Sequence, residues 1–136
     1  MHIKPDYENA RKRAGFSWSA GLCYMDYVHL AGIPLGEFYR KPQACGETYR
    51  LGHLRARVLF GPEVQEEGIC TPHISYGHLS SLGAELSFPS DGEVAVSPLY
   101  GSLAEGIAAL QAKPDFAHTG EFRFYQEFQR EMAKSF

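Results

Sequence analysis

Charge of one sign, long apolar runs and paired cysteines are all scarce in this chain. Its 13 lysines and arginines stand against 16 aspartates and glutamates, a formal net charge of −3. That leaves no electrostatic footprint for nucleic acid. No basic cluster marks a membrane surface, and no apolar run approaches the ~20 residues that span a bilayer. Residues 1–6 contain no h-region, so no secretory signal is expected. Cys23, Cys45 and Cys70 are odd in number and widely spaced, which predicts reduced thiols in a cytoplasmic protein rather than a disulfide framework. A glycine-rich phosphate loop and a dinucleotide fingerprint are absent. So is an evident nucleophile–base pair with a third orienting group.

What is present describes one ordinary soluble domain over residues 1–136, with 44% hydrophobic and 21% charged residues. Helix formers run over 6–14 before Gly15, and over 25–31 before Gly32. Residues 16–20 alternate with the period of a strand. Pro42 suits a first helical turn, and 43–60 reads as one long helix stopped by Gly61-Pro62. Its expected buried stripe is Ala44, Thr48, Leu51, Leu54 and Val58, with Glu47, Arg50, His53 and Arg57 in solvent. Residues 84–88 and 94–96 predict a β-hairpin around Pro89-Ser90-Asp91-Gly92. Ser102 and Glu105 form a capping box. The last helix, 121–134, carries Phe122, Tyr125, Phe128 and Met132 on one face. An aromatic face of that kind predicts a partner: a homo-oligomer or another chain.

The chemistry concentrates in residues 68–78, Gly-Ile-Cys-Thr-Pro-His-Ile-Ser-Tyr-Gly-His. A short apolar run ends at Pro72, and a helix is expected from Gly77. A strand, a loop and a helix start in that order place side chains at the C-terminal end of a strand. Three readings of Cys70, His73 and His78 stay open here. They could bind a metal such as zinc, line a substrate pocket, or be a core thiol beside two loop histidines. If chemistry occurs, His73 is the candidate acid/base, since its ordinary pKa lies near neutrality. Ser75, Tyr76 and His78 would position substrate, with Trp18 facing the same pocket.

Three stretches, in order, resemble the uroporphyrinogen decarboxylase superfamily. They are Tyr-Val-His-Leu-Ala-Gly-Ile-Pro-Leu-Gly-Glu-Phe-Tyr at 27–39 before the Lys41-Pro42 helix; Leu-Gly-Ala-Glu-Leu-Ser-Phe-Pro at 82–89 with Asp91-Gly92-Glu93; and Ser-Leu-Ala-Glu-Gly-Ile at 102–107. That family includes corrinoid-linked methyltransferases. The resemblance implies an α/β fold: a partial TIM-barrel-like unit with about two barrel strands, a β-hairpin and four to five helices. It implies a corrinoid, tetrapyrrole or zinc as cofactor or ligand, and an enzyme incomplete without further strands or a chain completing the barrel. The alternative is a small-molecule binding module, or a truncated oligomeric protein without activity. Residues 17–26 contain no arginine, and Pro72-His73 carries no carboxylate. At both places the chain departs from the decarboxylases and leans to the methyltransferase branch.

Overall fold

The computed structural model describes residues 6–135, so most of the signal-peptide reading of residues 1–6 falls outside it. Among the described residues, seven helices and one pair of two-residue strands run in the order α1 (Tyr7–Ala14), α2 (Tyr24–Ala31), α3 (Leu35–Arg40), α4 (Pro42–Phe60), α5 (Gly77–Ser80), β1 (Leu86–Ser87), β2 (Ala95–Val96), α6 (Leu103–Gln111) and α7 (Gly120–Ser135). Among the described residues, no helix is long and apolar enough to cross a membrane.

The helix ends are set by their residues. Asp6 caps α1 by accepting from the Asn9 backbone N–H at 3.1 Å, and Gly15 closes it in the left-handed region. Pro42 opens α4 in its first turn. Of the capping box expected at α6, the N-cap half forms: Ser102 Oγ accepts from the Glu105 N–H, while Glu105 Oε2 accepts from the N–H of Gly101, one residue before the N-cap. Leu86 pairs with Val96 and Ser87 with Ala95, antiparallel.

The expected α/β half-barrel does not form. The described residues are 54% helix and 5% strand, and the only sheet is this short antiparallel pair. Residues 16–20 and 69–71 make no ladder; one isolated parallel bridge lies nearby, between Gly21 and Gln65. The reason lies in burial and in pairing. Phe16 is 68% exposed and Ile69 46% exposed, and of residues 69–71 only Cys70 packs against the core. The backbone at Glu67 bonds to helix side chains rather than to a strand: its N–H donates to Tyr27 Oη at 3.0 Å, and its C=O faces His53 Nε2 at 2.9 Å.

The core is helix on helix. α2 lies along α4, and α3 and α7 pack on α4 from other sides. Tyr27, Phe38, Tyr39, Cys45, Tyr49 and Phe128 are almost fully buried. Much of α7's aromatic face is therefore covered within the chain: Phe128 and Met132 are buried, and the Tyr125 hydroxyl donates to the Tyr39 carbonyl at 2.6 Å. α6 stays peripheral, with Leu103, Ile107 and Leu110 exposed.

Candidate metal centre

The loop between α4 and α5 is fastened by a row of α4 side chains one turn apart. Cys45, Tyr49, His53 and Arg57 recur every four residues, so they share a helix face. Arg57 grips both Glu66 carboxylate oxygens, at 2.7 and 2.8 Å. His53 meets the Glu67 carbonyl; a carbonyl only accepts, so Nε2 is the protonated nitrogen. The Cys45 thiol donates to the Cys70 carbonyl at 3.5 Å, and the Tyr49 hydroxyl lies 3.1 Å from Cys70 Sγ.

Burial sets the protonation of these clamps. It pushes the Cys45 thiol up to about 12, with Cys70 adding to the effect, so Cys45 stays a donor. Burial, and then the contact with Cys70, raises the Tyr49 phenol far above its ordinary value, so it too keeps its proton.

Held this way, Glu67, Cys70 and His73 present one carboxylate oxygen, one sulfur and one imidazole nitrogen within 4.8 Å of one another. Their spacing is Glu-x2-Cys-x2-His. His73 Nε2 lies 3.7 Å from Cys70 Sγ and 3.8 Å from Glu67 Oε1. Both neighbours approach the same ring nitrogen. A nucleophilic relay needs the opposite arrangement, in which a carboxylate orients one nitrogen while the other takes the thiol proton. Donors that converge instead suit an ion at their centre. Tetrahedral bonds to zinc imply an S···N edge of about 3.6 Å and an N···O edge of about 3.4 Å. The sulfur–nitrogen edge is close to that value and the nitrogen–oxygen edge is longer; the Glu67 side chain is one-third exposed.

Among the residues singled out from sequence, Cys70 and His73 come together. His78 does not join them. It lines a separate cavity of about 220 Å³ with Pro72, Ile74, Glu121, Phe122 and Tyr125. Ser75 and Tyr76 are exposed in the turn before α5. Trp18 packs against Tyr7 and lies under the Arg11 guanidinium, as part of the surroundings of α1. Glu67 is the third donor of this cluster and the one that sequence reasoning missed; its three-residue spacing from Cys70, repeated to His73, was the available signal. Compared with protein-family models, curated proteins and solved structures, the chain matches none. The superfamily resemblance therefore rests on the sequence motifs alone.

Proposed function

We propose that this chain is a small metal-binding module in which Glu67, Cys70 and His73 hold a zinc-class divalent ion. The observation that carries this reading is the approach of sulfur and carboxylate to one imidazole nitrogen. One thiolate, one imidazole and one carboxylate suit zinc or cobalt(II). All-oxygen sites suit magnesium and calcium, and sulfur-rich sites suit copper(I). Three protein ligands leave one position for water or a small ligand, the pattern of catalytic rather than structural zinc. The His73 side chain is 70% exposed, so that position is reachable from solvent.

Cobalt(II) titration of the purified chain tests the reading. One equivalent should give visible d–d bands and a near-ultraviolet sulfur-to-cobalt charge-transfer band, both removed by zinc. Cys70→Ser should abolish the charge-transfer band, while His73→Ala and Glu67→Gln should each weaken binding at least tenfold. A wild-type chain without the band, or a band that survives in Cys70→Ser, overturns the proposal.

A second reading starts from the order of the motifs at 27–39, 82–93 and 102–107. It makes the chain a relative of the uroporphyrinogen decarboxylase superfamily that binds a corrinoid or tetrapyrrole without the barrel. Titration with cobalamin and with a porphyrin checks it: a saturable change in the ligand's visible spectrum supports it, and none removes it.

A further inference from the structure

Resting on the metal-binding reading, we infer that Tyr49 is a positioning residue that sets the donor strength of the Cys70 sulfur. The Tyr49 side chain is fully buried. Its ring packs against those of Tyr27 and Phe38, at centroid distances of 5.8 and 6.0 Å. The hydroxyl therefore has one fixed place, 3.1 Å from Cys70 Sγ. When Cys70 binds an ion it does so as a thiolate, which has no proton to give. The phenol is then the donor. A hydrogen bond into a metal-bound sulfur draws electron density away from the metal–sulfur bond, and it also fixes the direction of the sulfur lone pairs. Outer partners of this kind govern metal affinity as the ligands themselves do.

The neighbouring clamp makes an internal control. Cys45 lies one helical turn away on the same face and donates to the Cys70 carbonyl, not to the sulfur. Removing it disturbs the same loop without touching the sulfur's electrons. Tyr49→Phe keeps the ring and its packing and removes only the donor.

The test compares cobalt(II) complexes of the wild type, Tyr49→Phe and Cys45→Ala. Tyr49→Phe should move the sulfur-to-cobalt charge-transfer band to lower energy and weaken cobalt binding ~10-fold or more. Cys45→Ala should leave the band energy unmoved. A Tyr49→Phe band at the wild-type energy overturns the inference even if affinity falls, because packing alone then explains the loss. A wild type with no band fails the metal reading first, and this inference with it. Should Tyr49→Phe not fold, the wild type loaded with cadmium-113 decides. A slowly exchanging Tyr49 hydroxyl proton coupled to the metal through the sulfur is expected, and its absence overturns the assignment.

Discussion

Gly52 lies so close to Tyr27 that a Cβ added to it would stand 2.7 Å from the Tyr27 Cβ and 3.0 Å from its Cα. This contact sets how near α2 comes to α4, and so brings the Tyr27 hydroxyl to the Glu67 backbone. Gly52→Ala gains about 1 kcal/mol of helix propensity. Overpacking against backbone costs roughly 1–3 kcal/mol, and here the nearest atoms are the Tyr27 side chain and its Cα. The substitution should lower the melting temperature by several degrees and weaken cobalt binding. A more stable variant would show that the two helices part freely.

Burial raises the phenols of Tyr24, Tyr27, Tyr39, Tyr49 and Tyr125 above their ordinary value near 10. A group whose pKa is raised by folding binds its proton more tightly in the native state. Its contribution is intact below the unfolded pKa and is lost as pH rises beyond it. Stability should therefore fall above about pH 10. Ultraviolet titration should show these five of the eight tyrosines ionising together with the loss of helix, and not before it. Smooth ionisation of all eight in a folded chain would contradict this.

Arg40 lies between the rings of Phe88 and Phe124, 4.5 and 3.9 Å from their centroids, and pairs with Glu121 at 2.5 Å. It joins α3, the β1 side and α7. Arg40→Ala should destabilise the chain by roughly 2 kcal/mol, from lost cation–π contact and an unpaired, mostly covered carboxylate. Arg40→Lys should recover less than half, because an ammonium cannot stack flat between two rings. Chemical denaturation of the three proteins checks both statements.

Zinc should stabilise the folded chain. An ion bound only by the native state adds about 2.7 kcal/mol at 100-fold excess over its dissociation constant. The melting temperature should rise with zinc in the wild type and stay flat in Cys70→Ser. An equal rise in both would place the ion elsewhere.

The helices were largely legible because their ends are written locally: Asp6 and Gly15 bracket α1, Pro42 and Gly61 bracket α4, and Ser102 opens α6. The facing of α4 was not. Its leucines and Val58 suggested the buried stripe, yet Leu54 is 57% and Val58 53% exposed. Of the expected stripe Thr48 is fully buried, and beside it the helix buries Cys45, Gly46, Tyr49, Gly52 and Ala56. Small residues admit a neighbouring helix at close range, and apolarity counts do not register that. The same rotation turns His53 from a solvent residue into a clamp on Glu67. Residues 69–71 resembled a strand because they are apolar and stopped by proline; what a strand needs, an adjacent partner, is a long-range fact that no local pattern holds. Cys70 and His73 were found by residue type. Glu67 lies one residue before the 68–78 stretch that the sequence singled out.

The four grips of α4 on the loop all depend on one helical phase. Each residue inserted into a helix rotates the remainder of that helix by about 100°. One extra residue between Cys45 and Tyr49 would thus swing the grip on Cys70's carbonyl away from the grip on its sulfur, with the loop's own residues unchanged. Insertions and deletions are usually tolerated in loops and resisted in helix interiors. In this chain the helix's length is also the loop's shape, so the approach of Glu67, Cys70 and His73 to one another is sensitive to a shift at residue 47.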